Sequence, residues 1–314
     1  MLQMVSASRQ VMHEVKKVII GKDQCIELTM AAIISGGHIL IEDIPGVGKT
    51  TLAMAFSKAM SLKQKRMQFT PDVLPSDVTG FSMYKKERNQ FAYVPGPIMS
   101  NLFLADEINR TSPKTQSALL EVMEEGSVTI DGHTMQVPKP FIVIATQNPA
   151  GSLGTQNLPE SQLDRFMICI SMGYPDIAQE INIIKRQHKG HGLDAVRAVI
   201  DAEKLLQIQS EVNSVYIHDS VYEYIARLVM MTRKHELLKL GVSPRGTIAL
   251  CKMAQGKAYL RDRDYVLPED VAAVFKHVAG HRVLLQPKAR VNQMTVDDIL
   301  TDILNRVPKP VPKG

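Results

Sequence analysis

Lys49 and Thr50 close the stretch Glu42-Asp43-Ile44-Pro45-Gly46-Val47-Gly48-Lys49-Thr50-Thr51, which links the apolar run Ile39-Leu40-Ile41 to the helical pattern Leu52-Ala53-Met54-Ala55-Phe56. A lysine and a hydroxyl placed after spaced glycines can hold a polyphosphate. Gly46 and Gly48 let backbone N–H groups close on phosphate oxygens, and Pro45, Val47 and Thr51 complete the loop. Lys49 reaches the outer phosphates, and the Thr50 hydroxyl can ligate Mg²⁺. One position departs from the usual GxxxxGK[ST] spacing: Asp43 stands where the first glycine falls. Pro45-Gly46 is expected to supply the tight turn, so the change should matter little. The ligand predicted here is a nucleoside triphosphate, with ATP and Mg²⁺ as the expected pair.

Hydrolysis needs more than a cradle: a held metal, a polarised water and positive charge for the γ-phosphate. Leu102-Phe103-Leu104-Ala105-Asp106-Glu107 is an apolar run ending in adjacent carboxylates. Asp106 can hold Mg²⁺, while Glu107, pointing elsewhere, can orient the attacking water as general base. A second such run, residues 141–146, ends in Gln147-Asn148-Pro149. Ligands of open α/β sheets bind at the C-terminal ends of the strands, which places Asn148 near the γ-phosphate or the water. Two arginines complete the set. Arg165 follows Leu158 to Asp164 and precedes a last strand. Arg245 sits in Val242-Ser243-Pro244-Arg245-Gly246, with Ser243 as N-cap. A cation in a first helical turn opposes the helix dipole, so Arg245 calls for an anion beside it, either the γ-phosphate or a nearby carboxylate.

Residues 38–42, 66–70, 102–106, 141–146 and 167–172 read as strands, and 24–35, 50–60 and 113–125 as helices. The last helix is punctuated by Ser112, Pro113 and Gly126. Strands alternating with helices predict an α/β core with a mainly parallel sheet. Two hairpins interrupt the alternation: 127–137, turning at Asp131-Gly132, and 80–94, with Lys85, Lys86 and Arg88 near its tip. After Tyr174-Pro175 the strand signals stop, and helical spacing covers 177–188, 203–212, 220–238, 244–261 and 268–285. The expected division is a nucleotide-binding core over 1–172, an all-helical domain over 173–305 and a disordered Pro/Lys-rich tail over 306–314.

Bulk properties narrow the classes. The chain has 314 residues, enough for about two domains, and a formal net charge of +5. Such mild basicity supports polyanion binding only weakly, and with 5% aromatics and no Trp, stacking on nucleic acid bases is poorly served. Cys25, Cys169 and Cys251 lie far apart in apolar surroundings, as expected of free thiols in a reducing compartment. His188 and His191 flank a Lys-Gly turn, and no spacing suggests a structural metal site. Neither a signal peptide nor a membrane-spanning run is evident, so a cytoplasmic protein without membrane insertion is expected.

Taken together, IEDIPGVGKTTLA, QFTPDVLPSDVTG, YVPGPI, LFLADEINRTSPKTQSALLEVMEE, IATQNP, LPESQLDRF and GVSPRG resemble the MoxR-type AAA+ ATPases. Residues 72–97 look like the helix-2 insert of this branch, which it shares with magnesium-chelatase ATPase subunits. The resemblance implies a P-loop AAA+ core followed by a helical lid, assembled as a hexameric ring with ATP between subunits. It implies Asn148 as sensor 1, Arg245 as sensor 2 and Arg165 as an arginine finger acting on a neighbour, which would account for a charged LDRF with no local partner. It further implies chaperone-like remodelling or maturation of a protein client, including insertion of metal cofactors, with a von Willebrand factor A domain protein as partner. A nucleic-acid-dependent motor of the same clade is the alternative, and DNA-stimulated, salt-sensitive turnover would be its mark.

Overall fold

The computed structural model describes residues 4–148, 156, 158–188 and 192–310. Two helices, α1 (Val5–Lys16) and α2 (Asp23–Ile34), lead to the first strand, β1 (Ile39–Glu42). The loop that follows opens α3 (Lys49–Ala59), and the chain returns through β2 (Gln64–Gln68) and a short α4 (Pro75–Thr79). A hairpin of β3 (Gly80–Lys85) and β4 (Gln90–Pro95) precedes β5 (Leu102–Asp106) and α5 (Pro113–Glu125). A second hairpin, β6 (Ser127–Ile130) and β7 (His133–Gln136), precedes β8 (Ile142–Gln147), α6 (Glu160–Leu163) and β9 (Ile168–Ile170).

Strands β2, β5, β8, β1 and β9, in that spatial order, form one five-stranded sheet in which every pairing is parallel. The loop strand β1 therefore lies between the strand leading to Asn148 and the last strand of the sheet. Register brings the chemistry to one edge: Glu42 pairs with Gln147, and Gln68 with Asp106. Alternate residues point to opposite faces of a strand, and the core divides accordingly. Ile39, Ile41, Leu104 and Ile144 pack with α1, α2 and α3, whereas Leu40, Phe103, Ala105 and Val143 pack with α5 and Phe69. Capping follows the sequence closely at α5, where Ser112 Oγ accepts from the Thr115 N–H and Gly126 takes the left-handed conformation. Asp131 and Gly132 likewise both have positive φ, as a two-residue hairpin turn requires.

Beyond Gly173 come α7 (Ile177–His188), α8 (Ala202–Asn213), α9 (Asp219–Lys234), β10 (Leu238–Leu240) and α10 (Pro244–Leu260). The chain continues through α11 (Pro268–Ala279), β11 (Leu284–Leu285), α12 (Pro287–Val291) and α13 (Val296–Arg306). Two expectations are corrected here. Strands do not stop at residue 175: β10 and β11 pair antiparallel, where unbroken helices over 220–238 and 268–285 were expected. Runs as short as Leu-Lys-Leu and Leu-Leu fit either period, so spacing could not separate helix from strand. Second, the tail expected to be disordered from residue 306 is docked as far as 310: Val307 is buried and Lys309 pairs with Glu269 at 3.3 Å, while 311–314 lie outside the described residues.

The helical bundle packs directly against the first two helices. Its apolar residues join α1 and α2 in a single cluster. Ser35 Oγ at the end of α2 donates to the Lys252 carbonyl at 2.9 Å, and Lys257 on α10 pairs with Glu27 on α2. Gly256 permits this approach, since a Cβ there would lie 2.4 Å from Ser35 Oγ. Fastened in this way, α10 runs alongside α2 and the first turns of α10 lie near the start of β1. Among the described residues, no helix is long and apolar enough to cross a membrane.

Candidate active site

At the C-terminal edge of the sheet, Gly46 and Gly48 both have φ near 90°, a conformation that only glycine adopts without strain. Gly48 heads α3, and no side chain caps that helix, so its first N–H groups and the positive end of its dipole face the loop. Lys49 is buried and its Nζ donates to the Asp43 carbonyl at 2.6 Å. Burial lowers the pKa of its ammonium group, and the charges of Asp43, Asp106 and Glu107 oppose that shift.

Asp106 joins three side chains. Its Oδ1 accepts from Thr146 Oγ1 at 3.1 Å, and its Oδ2 accepts from Arg66 Nε at 2.7 Å and from Thr50 Oγ1 at 3.4 Å. Glu107 leaves the strand in the left-handed region, with φ 55°. A non-glycine residue held there is strained, and the result is that successive carboxylates diverge. Glu107 accepts from Gln68 Nε2 at 2.7 Å and from Asn148 Nδ2 at 3.1 Å, and pairs with Arg110 at 3.3 Å. The backbone of Asn148 is locked by buried Asn109, which donates to its carbonyl and accepts from its N–H. Asn148 Oδ1 is buried with no partner among the described residues, an open acceptor beside Glu107. Pro149, the next residue of that motif, lies outside the described residues.

The two arginines lie elsewhere. Arg165 and Arg245 share a cavity of about 210 Å³ with Gly36, Gly37, His38 and Met167, the residues that precede β1 and β9. That is the N-terminal edge of the sheet, a full length of β1, roughly 10–13 Å, from the loop. Both guanidinium groups converge on Glu124 at the end of α5, Arg165 at 3.2 Å on one carboxylate oxygen and Arg245 on the other. Arg165 therefore has a local partner, against expectation, and the anion beside Arg245 is a carboxylate of its own chain. Asp164 is partnered as well: it accepts from Arg282 Nε at 2.8 Å and from Ser243 Oγ, the cap of α10. Arg282 is buried, and Gly246 makes room for it, since a Cβ there would lie 2.7 Å from Arg282 Cδ.

A five-stranded parallel sheet with this loop, these paired carboxylates and a helical bundle can be compared with known proteins. The profile of the ATPase family associated with various cellular activities (AAA) matches residues 38–168, and that of the AAA lid domain matches 230–303. Chaperone MoxR1 of Mycobacterium tuberculosis is 37% identical over 315 residues, covering 98% of this chain and 83% of its own. This chain belongs to the MoxR-type AAA+ ATPases. Protein YeaC of Bacillus subtilis is 49% identical over 302 residues, 96% of this chain and 94% of its own. A Cytophaga hutchinsonii crystal structure assigned as an ATPase superposes with a TM-score of 0.90 at 37% identity, covering 98% of this chain and 96% of that one.

As a MoxR-type ATPase the chain binds nucleotide, and its residues fit one: an uncapped helix start behind two left-handed glycines, a buried lysine and an open amide acceptor. The structure brings Lys49, Thr50, Asp106, Glu107 and Asn148 together and holds Arg165 and Arg245 apart from them. Several neighbours escaped the sequence reading. Arg66 and Gln68 lie on β2, whose charged residues carry no apolar pattern, and only the β2–β5 register reveals that they grip the two carboxylates. Thr146 bridges Asp106 and the Glu107 N–H. Asp43, expected to be an inconsequential replacement, uses its carboxylate to accept from Ser171 Oγ, Met172 N and Gly173 N.

Proposed function

We propose that the chain hydrolyses Mg-ATP as one subunit of a ring of like subunits and uses the cycle to remodel or mature a protein client. The observation that carries this reading is the separation just described. A triphosphate in the cradle can meet Lys49 and Asn148 of its own subunit, whereas Arg165 and Arg245 are presented together at the opposite edge, where an adjoining subunit's nucleotide can meet them. In this reading the Pro45 to Thr51 loop binds the phosphates, Thr50 and Asp106 hold Mg²⁺, Glu107 orients the water and Asn148 reports on the γ-phosphate. Arg165 and Arg245 act in trans as finger and sensor. Bound Mg-ATP would supply the transferable phosphoryl group and a divalent charge to offset the negative charge that develops on it.

A protein client is supported by the two hairpins. Phe81, Met83 and Phe91 of β3–β4 are exposed, Phe91 at 71%, and a cavity of about 500 Å³ between the hairpins is lined by Phe91, Tyr93, Ile130 and Met135. We take residues 1–172 as the nucleotide-binding core and 173–305 as the lid. A hexameric ring, a cytoplasmic setting and a von Willebrand factor A domain partner complete the reading, with metal-cofactor insertion as one form the maturation takes.

The test is subunit mixing. Arg165→Ala and Glu107→Gln subunits, each inactive alone, should regain partial turnover when combined, because each brings what the other lacks. Absence of recovery at every ratio would place Arg165 in cis and remove the basis for a ring. Stimulation of turnover by DNA, falling steeply with salt, would instead mark a nucleic-acid motor.

A further inference from the structure

We infer that Asp43 is a positioning residue that ties the phosphate loop to the segment entering the helical bundle, so that filling the loop alters residues 171–173. Asp43 is only 7% exposed, and its carboxylate accepts four hydrogen bonds from described residues. Oδ1 accepts from the Ile44 N–H at 3.0 Å, and Oδ2 accepts from Ser171 Oγ at 3.1 Å, Met172 N at 2.6 Å and Gly173 N at 2.7 Å. Charge-assisted bonds of this kind are roughly twice as strong as neutral ones. The ladder between β1 and β9 ends at Ile170, so residues 171–173 are past the sheet and need another anchor. Gly173 then turns through the left-handed region, φ 60°, towards α7.

The same residue also holds the lysine. Lys49 Nζ donates to the Asp43 carbonyl, the main-chain end of a residue whose side chain grips the exit of β9. A phosphate in the loop competes for that ammonium group, and any shift it causes at Asp43 is felt by Ser171 Oγ and the two N–H groups. A glycine at position 43 could form the loop but could not make this link. The inference rests on the phosphate-binding reading of the loop.

The experiment is hydrogen–deuterium exchange on full-length wild type, Asp43→Gly and Asp43→Asn, without nucleotide and with Mg²⁺ and a non-hydrolysable ATP analogue, alongside steady-state ATP turnover. Without nucleotide, the Met172 and Gly173 amides should exchange about 10-fold faster in both variants, having lost a charged acceptor. With nucleotide, wild type should show protection over residues 43–52 together with altered exchange over 168–176. The variants should keep the first response and lose the second, with kcat reduced about 10-fold and KM within about 3-fold of wild type. Wild-type exchange at 172–173 in both variants would overturn the inference, as would loop protection in wild type with no change at 168–176. Loss of loop protection in both variants would make Asp43 a mere part of the cradle and overturn it too. If Asp43→Gly fails to fold, Asp43→Asn decides alone. Failure of the nucleotide reading would look different: no loop protection in wild type, with the nucleotide-free difference at 172–173 still present.

Discussion

The two edges of the sheet are built on opposite plans. At the C-terminal edge, polar groups are interlocked by hydrogen bonds within the core: Asp106 with Thr146, Arg66 and Thr50, and Glu107 with Gln68 and Asn148. At the N-terminal edge, half-exposed Arg165 and Arg245 share one carboxylate, Glu124, contributed by α5. Preorganised dipoles suit a site that must stabilise developing charge without rearranging. Loosely held guanidinium groups, by contrast, suit a contact that forms only when a partner arrives. On the proposed reading, one edge is a finished half-site and the other completes the half-site of a neighbouring subunit.

The strongest way to break this contrast is to remove the arginines. Arg165→Ala should reduce turnover by about 10³-fold or more, the usual worth of an arginine finger, while nucleotide binding to isolated subunits is unaffected. Arg245→Ala should be rescued by Glu107→Gln subunits in the same manner, and turnover assays of mixed subunits would show whether the two arginines work as a pair. At the cradle, Glu107→Gln should lower kcat by about 10²–10³-fold and leave analogue binding intact, whereas Lys49→Ala should abolish binding. Wild-type turnover in Glu107→Gln would remove the assigned base.

Stability should discriminate the edges as well. Asp164→Ala would remove the carboxylate paired with the buried guanidinium of Arg282 and leave that charge on main-chain carbonyls, a loss of about 3 kcal/mol measurable by denaturant unfolding. A change below about 0.5 kcal/mol would mean that water or another acceptor replaces the carboxylate. The N-terminal edge should also be the acid-sensitive one. Buried His38 accepts from the Val143 N–H through Nδ1 and contacts the Met123 carbonyl through Nε2, and desolvation pushes its pKa down to about 4 from 6.5. The pKa of His281 is likewise depressed by burial, with the Arg282 charge adding to the shift. Because the unfolded chain takes up these protons first, the stability they confer is complete above pH 6.5 and is lost as pH falls, for His38 down to about pH 4. For His38 the loss approaches about 1.4 kcal/mol per pH unit within that window. An unfolding midpoint that stays flat between pH 6.5 and 4 would contradict this.

Much of the cradle was legible because each piece is local in sequence. The glycines, Lys49 and Thr50 are contiguous, and the apolar runs before Asp106 and Asn148 announce strands that end at one edge. The α/β order and the limits of α5 followed from capping residues for the same reason. The arginine edge was not legible, because its geometry depends on how α10 lies along α2. That packing is set by Gly256 against Ser35 and by Lys257 against Glu27, pairs more than 200 residues apart in the chain that no local pattern reveals. Arg66, Gln68 and Glu124 were missed for a related reason: each sits in ordinary charged sequence and gains its meaning only from the residue across from it.

One carboxylate facing two guanidinium groups leaves the Glu124 corner with a surplus positive charge. A surface of this kind attracts a highly anionic neighbour over a distance set by ionic strength, about 10 Å at 0.1 M salt. Assembly should therefore be assisted by a nucleotide already seated in the adjoining subunit and weakened by salt, so that an empty subunit presents a poorer docking face than a loaded one.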